Sequence, residues 1–285
     1  MGKLITFALI GFIAQLVDGA LGMAYGVTST SLLLVFGLLP SMVSATVHLA
    51  EVVTTAVSGI SHIKFGNVDR QAVIKLIIPG SIGSFLGACF LSNLSGEIVK
   101  PYISLFLLFL GGFVLFRFFR MEHSKNERKS IYLSRMKSTL LGFIAGFADA
   151  TGGGGWGPIT TPVLLSQKGS SPRKVIGTVD TSEFAIAISA TLGFLISLGW
   201  EGINWTWAIT FMIGGIFAAP IAAWLVKRLP TYLLGVLVGG FIILTNIHTL
   251  LQIWMMSNFW KAFIYSCIVI GWVALIFFVI RKNKV

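Results

Sequence analysis

The sequence predicts an all-α polytopic membrane protein made of two inverted repeats. Each repeat is a broken helical hairpin followed by three transmembrane helices, and one extra helix closes the chain. Three observations predict this. Of 285 residues, 55% are hydrophobic and only 11% are charged, against about 25% charged in a soluble domain. Apolar runs of about 20 residues recur, each long enough to cross a hydrocarbon core roughly 30 Å thick. The third observation is that one pattern occurs twice.

GFIAQLVDGALGMAYG, from Gly11 to Gly26, matches GFIAGFADATGGGGWG, from Gly142 to Gly157. Asp18 falls on Asp149, Tyr25 on Trp156 and Gly26 on Gly157. After a one-residue slip, LPSMVSATVHLAE matches SPRKVIGTVDTSE, pairing Pro40 with Pro172, Thr46 with Thr178, His48 with Asp180 and Glu51 with Glu183. FGNVD from Phe65 resembles WEGIN from Trp200 more weakly. Internal duplication of this kind is a mark of transporter folds.

Taken in order, the first repeat (1–119) holds a broken pair at 3–17 and 20–38, then spans at 41–62, 71–92 and 101–119. A basic linker, 120–137, follows. The second repeat (138–253) holds a broken pair at 138–150 and 156–167, then spans at 174–198, 204–226 and 231–253. The final unit, 254–285, carries the unpartnered helix at 259–280 and a basic tail. MGKLITFALIGFIAQLVDGA imitates a signal peptide, but its internal recurrence argues for a retained helix.

The +11 charge is not arranged as a nucleic-acid face. Seven of 21 Lys and Arg lie between Arg117 and Lys137, and Arg281, Lys282 and Lys284 end the chain. Retained cytoplasmic loops have this pattern. With the linker inside, a returning pair at 138–167 also puts Lys168, Arg173, Lys174, Lys227 and Arg228 inside, and leaves the 199–204 loop, which has no basic residue, outside. A single crossing there would strand three basic residues. Each half then crosses an odd number of times, so the halves are inverted. Lys64 and Arg70 agree with this topology, whereas Lys3 falls outside against the rule. Cys89 and Cys267 sit in apolar runs and suggest neither a disulfide nor a metal site.

TGGGGWGPITTP breaks the backbone between two apolar runs. Such a break is tolerable only inside protein or beside a water-filled cavity. The break would leave amides free at the start of the next helix, a cradle for an anion. Gly153, Gly154, Gly155, Trp156, Gly157, Thr160 and Thr161 are its candidate residues, with Tyr25, Gly26, Thr28, Ser29 and Thr30 in the first half. The alternative is that the glycines serve close helix crossing. Five of ten acids, Asp18, Glu51, Asp149, Asp180 and Glu183, lie in apolar segments with no Lys or Arg well inside. Each costs at least ~2.5 kcal/mol there, which points to a substrate or proton path. Glu51 and Glu183 are the preferred proton carriers. Asp18 and Asp149 either carry protons or cap amides, and His48, at i−3 from Glu51, either relays a proton or simply hydrogen-bonds. His62, His123 and His248 read as interfacial or loop residues.

On these residues the chain resembles the TauE/SafE (TSUP) family of sulfite and organosulfur-anion exporters. GGGGWGPITTPVLL and VIGTVDTSEFA carry the likeness, which extends over residues 4–253. The first copy departs from it, since GALGMAYGVTSTSLLL has fewer glycines and no terminal proline. The resemblance implies a small sulfur-containing anion, such as sulfite or a sulfonate, as substrate.

The sequence therefore predicts a multi-pass cell-membrane secondary transporter, an exporter of a small anion by proton-coupled alternating access, without cofactor or metal. Transport of another anion, or of a cation on the carboxylates, is the alternative. No P-loop, G-x-S-x-G or H-E-x-x-H pattern occurs, so neither ATP hydrolysis nor an intramembrane enzyme is favoured. Expected partners are the anion, protons and lipid but not nucleic acid; the sequence leaves association of two chains open.

Overall fold

The computed structural model describes residues 2–21, 23–119, 131, 134–165, 167, 171–225 and 231–282. Every regular element among them is helical. The first half contains α1 (Gly2–Leu21), α2 (Tyr25–Val35), α3 (Pro40–Lys64), α4 (Arg70–Ser92) and α5 (Gly96–Phe119). The second contains α6 (Arg135–Gly152), α7 (Trp156–Leu165), α8 (Pro172–Leu198), α9 (Trp205–Leu225) and α10 (Thr231–Ile253), followed by α11 (Asn258–Lys282). Seven helices, α3, α4, α5, α8, α9, α10 and α11, are long and apolar enough to cross a membrane. Most of the 120–137 linker lies outside the described residues, as do Lys168, Lys227, Arg228 and Lys284.

Both breaks fall near the expected places, but the incoming helices run further. α1 continues to Leu21 and α6 to Gly152, which puts Asp18 and Asp149 inside the last helical turn. Gly153 ends α6 in the left-handed region at φ 67°, and Gly154 follows at φ 149°. Only glycine adopts such angles freely. The first break makes its turn with Ala24 at φ 135°.

Small residues set the packing. α6 lies parallel to α4, with Gly146 against Gly80 and Gly87 against Phe147 and Ala150. α1 lies parallel to α9 in the same way, with Gly11 against Phe211 and Gly19 against Ala222. Close backbone approach of this kind provides the van der Waals attraction between helices in lipid. Hydroxyls add to it: Ser81 Oγ donates to Ala185 O (3.3 Å) and Ser84 Oγ to Ile186 O (3.1 Å), tying α4 to α8.

α3 and α8 cross at the centre and run antiparallel. His62, near the end of α3, faces Asp180, near the start of α8, while His48 faces Phe194 at the opposite ends. If α1 to α5 are exchanged with α6 to α10, the most extensive packing pairs map onto one another. α1–α9 becomes α6–α4, α3–α9 becomes α8–α4, and α3–α8 and α5–α10 are each their own image. α3 is the most enclosed of the seven long helices, whereas α11 is almost wholly exposed and touches α10 through Trp272 Nε1 to Val236 O (3.0 Å).

Loop ends are capped. Asp69 Oδ1 accepts from Gln71 N (3.1 Å) and Ala72 N (3.2 Å) at the start of α4, and its Oδ2 accepts from Ile131 N (2.8 Å). Asn204, its counterpart in WEGIN, accepts from Trp207 N (3.2 Å) at the start of α9. Side-chain caps of this type contribute about 1 kcal/mol each.

Candidate functional site

The two breaks touch inside the bundle. A Cβ on Gly26 would lie 2.8 Å from Gly154 Cα and 3.1 Å from Glu51 Oε1, and a Cβ on Gly154 would run into Gly26 and Val27. Thr30 Oγ1 donates to Gly153 O across the same contact. Glycine at 26, 153 and 154 thus lets two backbones meet where no side chain fits.

The amides expected to stand free at the second break are donated to Asp149. Gly154 N donates to Asp149 O (3.1 Å), and Gly155 N (2.7 Å) and Trp156 N (2.9 Å) both donate to Asp149 Oδ1. Asp18 repeats the arrangement in part, Oδ1 accepting from Tyr25 N at 3.2 Å. Each carboxylate hangs from the last turn of the incoming helix and caps the outgoing one, where the helix dipole favours negative charge.

The remaining oxygens of these acids join helices from the opposite half. Asp149 Oδ2 lies 3.1 Å from His48 Nε2, and Glu51 Oε2 lies 3.9 Å from the same nitrogen. His48, Glu51 and Asp149 form one cluster; Asp18, Asp180 and Glu183 form the other, each with its polar atoms within 4.8 Å. All six residues are buried. α1 thus completes a cluster on α8, and α6 completes one on α3.

Hydrogen-bond roles fix the protons of two rings. His48 Nδ1 lies 2.8 Å from Ser44 O, so Nδ1 carries a hydrogen. A neutral ring would then turn a lone pair toward Asp149 Oδ2, which is also an acceptor. A 3.1 Å approach requires a proton between them, on the imidazole or on the acid. His62 has the opposite arrangement. Arg173 Nε donates to Asn67 Oδ1, so the Asn67 amide turns Nδ2 to His62 Nδ1 at 3.0 Å. Nδ1 accepts, and the neutral ring carries its hydrogen on Nε2, 3.8 Å from Asp180 Oδ2.

His62 corrects the reading of an interfacial or loop residue, because it is fully buried beside Asp180. The signal was present in α3: Ser44, His48, Glu51, Thr55, Ser58 and His62 recur at alternating steps of four and three and make one buried polar stripe. Gln15 and Thr54 were also missed. Both are buried and make no close hydrogen bond, and the same holds for Tyr25 Oη, Thr28 Oγ1, Ser29 Oγ, Ser58 Oγ and both Glu51 oxygens.

Tyr25 and Trp156, equivalent in sequence, differ in surroundings. Trp156 Nε1 is held by Val179 O and Ser182 Oγ, both at 3.2 Å, whereas the Tyr25 hydroxyl makes no close hydrogen bond and has Thr54 as its neighbour. Gly157, Thr160 and Thr161 are buried in α7, and Thr160 donates back to Trp156 O. A cleft of about 620 Å³ opens between α4 and α6, lined by Gln71, Ile74, Lys75, Ile78 and Arg135 among others. It contains none of the buried acids, so the chemistry lies elsewhere.

A helical bundle enclosing two helix breaks, each beside buried carboxylates, places the chain in the class of multi-pass membrane transporters. The family model described as sulfite exporter TauE/SafE matches residues 7–249, and the chain belongs to that family. It is 64% identical over 282 residues, covering 99% of this chain and 94% of the relative, to a probable membrane transporter protein, YtnM, of Bacillus subtilis. Another B. subtilis probable membrane transporter protein, YdhB, is 25% identical over 231 residues (79% of this chain, 91% of the relative). A probable membrane transporter protein of Xylella fastidiosa is 24% identical over 260 residues (89% and 94%). No solved structure matches the chain significantly. The protein is a multi-pass transporter of the bacterial cell membrane.

Proposed function

We propose that the protein is a secondary exporter of a small sulfur-containing anion, sulfite or a sulfonate, coupled to protons. The observation that carries this reading is the contact at Gly26 and Gly154, where two breaks meet between two buried acid clusters. The antiparallel crossing of α3 and α8, with packing pairs that survive exchange of the halves, supports inverted repeats and hence alternating access. The domain units 1–119, 120–137, 138–253 and 254–285 follow from the same reading.

Proton and anion are linked through Asp149. While it is ionised it holds the amides of Gly155 and Trp156. Charge-assisted hydrogen bonds are roughly twice as strong as neutral ones. A proton arriving at Oδ2 weakens that hold, and the released N–H groups then take the anion. Tyr25 Oη, Thr28 Oγ1, Ser29 Oγ, Thr54 Oγ1 and Gln15 Nε2 are further buried donors that make no close hydrogen bond. They replace the hydration that the anion loses. Glu51 and Glu183 exchange protons with Asp149 and Asp18 within their clusters, and Asp180 and His48 complete them.

The test is sulfite flux in proteoliposomes with a pH dye in the lumen. Sulfite movement accompanied by proton movement is the expected result. Absence of flux for both sulfite and a sulfonate in the same assay, or flux without proton movement at any imposed pH gradient, overturns the reading.

A further inference from the structure

α3 carries a polar stripe that α8 lacks. With His48 matched to Asp180 and Glu51 to Glu183, the positions that follow are Thr55, Ser58 and His62 on α3 but Ala187, Ala190 and Phe194 on α8. The antiparallel crossing turns this difference into a difference between the two ends of the site. At one end His62 faces Asp180; at the other Phe194 packs on His48, ring centroids 6.0 Å apart. The same place in the fold thus holds an ionisable ring on one side and a hydrocarbon ring on the other.

The His62 end is linked to polar groups outside the helices. Arg173 binds Asn67 and Phe65 O, Asn67 binds His62, and Lys174 Nζ donates to Val68 O at 3.1 Å. Lys64, Arg70, Arg173 and Lys174 cluster at this end. The charged groups around His62 are Asp180 and Arg173 from α8, with Asp18 from α1 and Glu183 from α8 behind Asp180. On its own helix the nearest ionisable groups are Lys64 and, about three and four turns back, Glu51 and His48. Ser58 Oγ, one turn before His62, lies beside Gly19 and faces Asp180.

We propose that His62 passes protons between Asp180 and the aqueous end marked by Arg173, and that Phe194 closes the mirrored route to His48. The proposal rests on the proton-coupled reading above and adds the direction from which the proton comes. The step balances. A hydronium ion from the aqueous end gives its proton to His62 Nδ1 and leaves as water, displacing the Asn67 amide and making the imidazolium. The ring then swings across the 3.8 Å gap to hydrogen-bond distance, and the Nε2 proton passes to the Asp180 carboxylate, leaving a neutral ring and a neutral acid. Water then protonates Nε2 and removes the Nδ1 proton, which restores the resting tautomer with no net change in the ring.

Two measurements test it. In a chain with Cys89 and Cys267 replaced by alanine, single cysteines are placed at Ser58 and Ala190 and exposed to a small, charged, membrane-impermeant methanethiosulfonate from each side. Modification of Ser58→Cys from the Arg173 end, with Ala190→Cys unmodified from either side, supports the proposal. Equal modification of both, or faster modification of Ala190→Cys, overturns it. This arm needs no substrate, so it stands apart from the identity of the anion. In proteoliposomes, His62→Gln should slow sulfite-coupled proton movement roughly tenfold or more, while Phe194→His should let protons reach the site from the far side as well. Wild-type proton movement in His62→Gln, with sulfite flux intact, overturns the relay. Absence of coupled flux in the unmodified protein overturns the transport reading, and the labelling arm still decides whether the asymmetric route exists.

Discussion

His48 Nε2 and Asp149 Oδ2 lie 3.1 Å apart although the ring's other nitrogen already donates to Ser44 O, so one proton is fixed between α3 and α6. This proton joins the halves of the molecule. It also sits on the same carboxylate that ends the second break, which makes Asp149 the place where hydrogen bonding and charge can be separated by mutation.

Asp149→Asn should fold and lose coupling. The amide oxygen can still accept from Gly155 and Trp156, and its NH2 can donate to His48 Nε2, but it carries no exchangeable charge. Asp149→Ala strands two buried amides and should destabilise by about 1–3 kcal/mol. Thermal unfolding in detergent separates the two variants, and a destabilised Asp149→Asn with a wild-type Asp149→Ala would contradict the capping geometry.

Glu183→Gln should abolish the pH dependence of sulfite flux while the protein elutes and melts as the parent does. An unchanged pH profile removes Glu183 as a proton carrier.

The two breaks should respond oppositely to a methyl group. Gly154→Ala places a Cβ against the Gly26–Val27 backbone at φ 149°, a strain of roughly 1–3 kcal/mol before the clash is counted. Ala24→Gly relieves a positive φ of 135° and should be neutral or stabilising. Melting temperatures of the pair check this, and a stable Gly154→Ala would sink the proposed backbone contact.

Glu201 and Arg70 are both exposed at loop ends. In the cysteine-free background, Glu201→Cys should react with an impermeant maleimide on intact cells, and Arg70→Cys only after permeabilisation. The reverse pattern would turn the molecule over.

Much of the fold was legible because hydropathy and duplication are local signals. Every long helix was found, with ends shifted by a few residues. α5 begins at Gly96 rather than 101 because Pro101 is accommodated near its start. α1 and α6 run past the acids because a carboxylate in a last turn can reach forward to cap the next helix. The acids themselves were visible as charges in apolar runs. Their partners were not, since Asp149 with His48 and Asp18 with Asp180 are contacts between halves. His62 was misplaced because its distance from the end of α3 suggested a surface, although its step from Glu51 continued a buried stripe. The occupancy of the break's amides also needed coordinates, for glycine spacing does not reveal whether N–H groups are already bonded.

Neither acid cluster is assembled from one half of the chain. A polypeptide cut between Phe119 and Ile131 yields two fragments, each holding pieces of both clusters and a complete copy of neither. Co-produced fragments should regain activity that each lacks alone. Either fragment on its own would leave carboxylates in the lipid without the partners that the other fragment supplies.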